Sequence, residues 1–183
     1  MATVVHVTRE ATHKIGGIGA VLDGLLTSHA YQDAIDRSIL VGPWSLGTPP
    51  AERLGAGSEI LYSVCDGIDA AGWRSVFRPI EEAYQVWFTY GLRPFRDMAT
   101  GETMEAELLL VETSALNAAR YAYQKATYYQ RFGIASGDYE DHPDFDQWMR
   151  IAEPAYEGVM ALTQAHDRPV YFVAHEYMGM PTA

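Results

Sequence analysis

The chain has 183 residues, one cysteine, 24 acidic against 13 basic side chains and a formal net charge of -11. That balance excludes the broad electrostatic footprint needed for DNA or RNA, and Cys65 alone excludes an internal disulfide, a thiolate zinc cluster and a CxxC redox pair. No run of 18 apolar residues marks a membrane span and the opening MATVVHVTRE lacks a secretory signal, so the expectation is one domain over 1–183, cytoplasmic, without nucleic-acid or membrane partners.

Residues 3–8, TVVHVT, are rich in β-branched types and read as a strand, with His6 as a packed core residue. From Ile18 the apolar positions Ile18, Val21, Leu22 and Leu25 follow the spacing of one helix face. RSILVG (37–42) and EILYSV (59–64) suit buried strands, and the Gly- and Pro-rich GPWSLGTPPAERLGAGS between them reads as a surface loop. Periodicity predicts a helix from Ile80 to about Leu92, then a strand ELLLVE (107–112), then a helix from Ser114, as N-cap, to about Phe132. Tyr121, Tyr128 and Phe132 on that helix read as one packed stripe. The acidic SGDYEDHPDFD lacks calcium-loop spacing and reads as a solvated loop. A last helix from Phe145 to about His166, kinked or broken at Pro154, precedes the strand PVYFVAH (169–175). Apolar strands alternating with helices predict an α/β domain with a mainly parallel sheet flanked by helices.

The stretch REATHKIGGIGAVLDGLL, residues 9–26, places Lys14, Gly16 and Gly17 between the first strand and the first helix. Exposed amides, a helix N-terminus and a mobile cation suit a diphosphate, although the pattern is neither a Walker loop nor GxGxxG. The same glycines, with Gly19, also serve as a plain turn that lets the helix pack closely on the sheet. Glu10 could orient this loop by accepting its amides or could pair with Lys14, and His13 could face phosphate or solvent. At the other end, His175 sits at the carboxyl end of the last strand, where an imidazole either donates to a ligand or is satisfied structurally. Glu176 reads as a helix cap rather than a catalytic acid. HEYMG begins like a zinc-protease HExxH, but residue 179 is glycine, so no metal site is expected.

EATHKIGGI resembles the EVxNKVGGI segment of animal and fungal glycogen synthases, and its Lys-Gly-Gly core is shared with the KxGGLGDV of bacterial glycogen and plant starch synthases. LVGPW (40–44) is similar to that family's LIGPY, VAHEYMG (173–179) to its AHFHEWxAG, and ELLLVETS sits where the family has a buried strand before a helix. The matches run in the family's order over nearly the whole chain, with Tyr177 in place of Trp and with Gly19 and Ala20 departing from both branches.

The chain therefore resembles the N-terminal, Rossmann-like half of a GT-B glycosyltransferase of the glycogen synthase type. The resemblance implies retaining transfer of glucose from UDP- or ADP-glucose to an α-1,4-glucan, in glycogen biosynthesis, with no cofactor and no metal. It puts Lys14, Gly16 and Gly17 on the donor diphosphate, His175 as the catalytic-site residue beside the transferred glucose, and Glu10 and Glu176 in support. In the family a second Rossmann-like domain supplies most donor contacts; the 183 residues alone are expected to lack that partner and to be inactive. A non-catalytic sugar- or nucleotide-binding or partner-interaction module, or a GT-B enzyme with another acceptor, is the alternative. Nucleotide, acceptor length and oligomeric state stay open.

Overall fold

The computed structural model describes residues 2–164 and 169–183. The strands are β1 (Ala2–Val7), β2 (Ile35–Pro43), β3 (Glu59–Ser63), β4 (Ile68–Asp69), β5 (Trp87–Arg96), β6 (Thr103–Glu112) and β7 (Val170–Ala174). The helices are α1 (Gly17–Leu26), α2 (His29–Ala34), α3 (Pro50–Arg53), α4 (Arg74–Tyr84), α5 (Ala118–Phe132), α6 (Pro143–Thr163) and α7 (Glu176–Gly179).

The strands form one sheet in the order β4-β3-β5-β6-β2-β1-β7. The α/β class holds, but the sheet is mixed rather than mainly parallel. β7, β1, β2 and β6 run parallel, whereas β5 pairs antiparallel with β6 and β3, and β3 with β4. The antiparallel part comes largely from the stretch expected to be one helix from Ile80 to Leu92. Gln85 adopts a left-handed backbone, φ 56, and ends α4, its N–H bonded to the Glu81 carbonyl. From Trp87 the chain is extended, and Phe88 to Gly91 are buried on both sheet faces. A strand buried on both faces shows no period-two alternation, so its run of apolar residues mimics a helix face.

Helices cover both faces. Ile39, Val41, Leu109 and Val111 point toward α4 and α6, meeting Phe77 and Trp148, while Leu40, Leu108 and Leu110 point toward Leu22 and Leu26 of α1. α6 runs through Pro154 without the expected break, and its nine buried residues include Pro154 itself. The lost amide bond costs about 3 kcal/mol, and burial of Trp148, Ile151 and Val159 at roughly 2 kcal/mol each exceeds it. The expected extension of this helix to His166 lies outside the described residues.

α6 can approach the sheet because residue 158 is glycine. A Cβ there would stand 2.9 Å from Leu109 Cδ2 and 3.1 Å from Phe88 Cζ, two side chains with no accessible surface into which to retreat. Gly158→Ala is therefore expected to destabilise the chain by about 1–2 kcal/mol in urea unfolding despite alanine's better helix propensity.

Two local expectations change. The cap of α5 is Asn117, whose side chain accepts from the amides of Ala119 and Arg120, whereas Ser114 donates to Glu112. The acidic segment is partly anchored rather than wholly solvated: Asp146 accepts from Tyr121 (2.7 Å) and Arg150, and Glu140 pairs with Lys125.

Candidate ligand site at the carboxyl ends of β1 and β7

β1 and β7 are parallel neighbours and end in register at Val7 and Ala174. The chain turns after each, and the His175 amide donates to the Val7 carbonyl at 3.0 Å, tying the two turns together. The carboxyl ends of parallel strands are where open α/β sheets form ligand crevices.

Past Val7, the Glu10 amide donates to Thr8 Oγ1 at 3.1 Å, and the Glu10 side chain folds back under the loop it precedes. Glu10 Oε2 accepts from the amides of Ile15 (2.9 Å), Gly16 (2.8 Å) and Gly19 (2.8 Å). Of the two roles open to Glu10, it takes the amide-accepting one, and Lys14 instead pairs with Asp23 of α1 at 3.1 Å. Burial alone would raise the Glu10 carboxyl; the Gly16, Ile15 and Gly19 amides, with the charge of Lys14, outweigh it and hold the group below its ordinary value.

The chain's own carboxylate thus occupies part of the anion nest at the mouth of α1. Gly16 and Gly17 are exposed, as expected, but the Gly16 amide is already engaged. The first-turn amides of Gly17 and Ile18 have no acceptor among the described residues. The sterically necessary glycine is Gly19: a Cβ there would lie 2.6 Å from Glu10 Oε2 and 3.1 Å from the Lys14 Cα, whereas one on Gly17 would meet nothing within 4 Å. His13 is exposed and bonded to Thr12 Oγ1 at 2.8 Å.

His175 lies half-buried beside β1. Its Nε2 is 3.0 Å from Nδ1 of His6, which is 1% exposed; His6 Nε2 is 3.0 Å from the Tyr31 hydroxyl of α2; and that hydroxyl is 2.9 Å from Ser38 Oγ of β2. Burial first, then the proximity of His175, pushes His6 down to about 4, and burial lowers His175 as well. Both rings are therefore neutral near pH 7. A depressed histidine is a site where the unfolded chain takes up protons first, so stability is fully present above about pH 6.5 and is lost as pH falls toward 4. His6→Gln is expected to flatten that part of a stability profile measured by urea unfolding at successive pH values.

His6 is buried, as expected, yet it belongs to a polar chain rather than to an apolar core. Tyr31 and Ser38 carry no sequence signal of this role, because the partners are far apart along the chain and only the crossover from β1 through α2 to β2 brings them together. Glu176 is not the helix cap. It is exposed, occupies the first residue of α7 with φ 65, and leaves the cap position to His175. A left-handed backbone in a non-glycine residue costs energy, and here it turns the chain immediately after the candidate ligand histidine.

A cavity of about 1250 Å³ lies elsewhere, between α5, α6 and the C-terminal residues. Tyr123, Phe132, Tyr156 and Tyr177 present exposed rings along it, and Tyr128 donates to the Pro181 carbonyl at 2.8 Å. The expected packed stripe therefore divides: Tyr121 is buried, whereas Phe132 is 68% exposed. Among the described residues no group of His, Cys, Asp and Glu is arranged to hold a metal, and no helix is long and apolar enough to cross a membrane. No protein-family model matches the chain, and no curated protein matches it.

Proposed function

We propose that the chain is the N-terminal domain of a retaining glucosyltransferase of the glycogen synthase type, cytoplasmic, taking UDP- or ADP-glucose as donor and an α-1,4-glucan as acceptor. The observation that carries this reading is the juxtaposition of the Lys14 loop and His175 at the joined ends of β1 and β7. Free amides at Gly17 and Ile18, with Lys14 able to swing from Asp23, would stabilise the negative charge that builds on a departing diphosphate. A second Rossmann-like domain would close over this crevice and complete the donor site. Supporting the acceptor assignment is the groove between α5 and α6, whose exposed aromatic rings offer faces for stacking on sugars.

Titration of the chain with UDP-glucose and ADP-glucose, followed by amide NMR, tests the reading. The expected result is perturbation at Gly17, Ile18 and His175, with affinity about tenfold weaker in Lys14→Ala, the loss of one charge-assisted contact. Unchanged spectra with both nucleotide sugars would reduce the loop to a turn. Phe132→Ala is expected to lessen retardation in gels containing glycogen severalfold, with the unfolding transition unmoved.

A second reading is favoured by Glu10, which already fills part of the anion nest. On that reading the domain is a non-catalytic binding or interaction module. Retardation by glycogen without any nucleotide-sugar response would select it.

A further inference from the structure

The four-membered chain Ser38–Tyr31–His6–His175 can run its hydrogen bonds in either of two concerted senses. In one, Ser38 O–H donates to the Tyr31 oxygen, Tyr31 O–H donates to His6 Nε2, and His6 Nδ1–H donates to His175 Nε2. The single proton of neutral His175 then sits on Nδ1. In the other, every bond is reversed: His175 Nε2–H donates to His6, His6 Nε2–H to Tyr31, and Tyr31 O–H to Ser38.

The two senses are not equivalent, because Ser38 is 3% exposed and its hydroxyl has no partner other than Tyr31 among the described residues. In the reversed sense the Ser38 hydrogen is buried without an acceptor or, where Ser38 still donates to Tyr31, the Tyr31 hydrogen has none among the described residues, a penalty that the first sense avoids. In the first sense every hydrogen within the chain has an acceptor. His175 Nδ1, which has no hydrogen-bond partner among the described residues, then points its N–H away from the relay.

We infer that His6 and Tyr31 are positioning residues that hold His175 as the Nδ1–H tautomer, so that this site presents a neutral hydrogen-bond donor and takes a ligand through an acceptor oxygen, as a hydroxyl or a phosphate provides. His175 is thereby a donor rather than a general base. A proton arriving at Nε2 would face the His6 N–H, and accepting it requires reversal of both His6 bonds and leaves a Ser38 or Tyr31 hydrogen without an acceptor among the described residues. Burial of His6 and Ser38, with Tyr31 half-buried between them, limits the water that would otherwise exchange for these bonds. The inference rests on His175 facing the ligand, as proposed above, but the tautomer is measurable without ligand or turnover.

Long-range ¹H–¹⁵N correlation spectra of the histidine rings report which nitrogen carries the proton. The expected wild-type result at pH 7.5 is a protonated Nδ1 on His175. Ser38→Ala should keep that state, since Tyr31 still donates to His6. Tyr31→Phe should make it a mixture, because His6 loses its directing partner. His6→Phe should release His175 to the Nε2–H form that free histidine favours. A wild-type His175 protonated on Nε2, or a tautomer indifferent to Tyr31→Phe, overturns the inference, and Tyr31→Phe alone suffices should His6→Phe fail to fold. Absence of a nucleotide-sugar response with the Nδ1–H tautomer intact would instead remove the proposed function and leave the relay standing.

Discussion

Glu10→Ala is expected to destabilise the chain by about 3 kcal/mol in urea unfolding and to release the loop between Thr12 and Gly19. One carboxylate oxygen serves three amides, those of Ile15, Gly16 and Gly19. Bonds to an ionised acceptor contribute roughly 1.5–3 kcal/mol each, and the exposed position of Gly16 lets water replace part of that, which brings the sum to the stated figure. Glu10→Gln keeps an oxygen acceptor but not its charge, and should cost about half as much. The pH dependence has a definite sign. The folded carboxyl is held below 4.5, so its contribution is complete above that value and is lost as pH falls through the folded value. Hydrogen exchange at the Gly16 and Gly19 amides checks the mechanism: both should become fast in Glu10→Ala. Protection equal to wild type would mean that other groups hold the loop. Gly19→Ala should approach the same phenotype from the opposite side, by pushing Glu10 Oε2 away from a new Cβ 2.6 Å distant.

This loop also shows how far the sequence was legible. Its place between β1 and α1, its exposed backbone at Gly16 and Gly17, and two roles open to Glu10 were readable from residue types and spacing. The choice between those roles was not, because it depends on a carboxylate folding back over five to nine residues onto amides whose directions only the turn defines. The same limit applies to His6 and His175. Each is visible alone as a histidine at a strand, and their 3.0 Å contact exists only because β1 and β7 pair.

The strands that were recognised are those whose apolar runs are short and bounded by turn residues. Besides the two-residue β4, the strand missed is β5, which follows α4 after only Gln85 and Val86, and side chains packed on both faces erase the alternation that would have marked it. Its antiparallel pairing with β6 is the reason that the sheet is mixed. For the loop after β2, composition misled in another way: Gly and Pro suggested a solvated surface, yet Trp44, Arg53 and Leu54 are buried.

Arg53→Ala is accordingly expected to cost about 3–5 kcal/mol, the range for removing one partner of a buried ion pair. Arg53 is 4% exposed. Its guanidinium pairs with Asp66, donates to Ser63 Oγ (3.2 Å) and the Thr48 carbonyl (3.2 Å), and lies over the Trp44 ring at 3.9 Å. Burial acts to raise Asp66, but its bonds from Ser63 and Arg53 hold it below 3.8, so the pair's contribution is present above that value and declines as Asp66 protonates. Because Arg53 Nε and Trp44 Nε1 are buried with no hydrogen-bond partner among the described residues, the intact cluster carries its own penalty. Replacing both ions with Arg53→Met and Asp66→Asn should therefore recover at least half of the loss seen in Arg53→Met alone. A double-mutant cycle by urea unfolding measures this, and additive losses would show that the ion pair is not what anchors the loop. The consequence extends to the candidate site. Gly55, two residues beyond Arg53, has φ 94, and a Cβ there would stand only 2.6 Å from the Thr12 carbonyl; Arg93 reaches the neighbouring Ala11 carbonyl. The segment held by Arg53 is the wall behind the Lys14 loop, so Arg53→Ala should also speed hydrogen exchange at Gly16 and Gly19 although it touches neither.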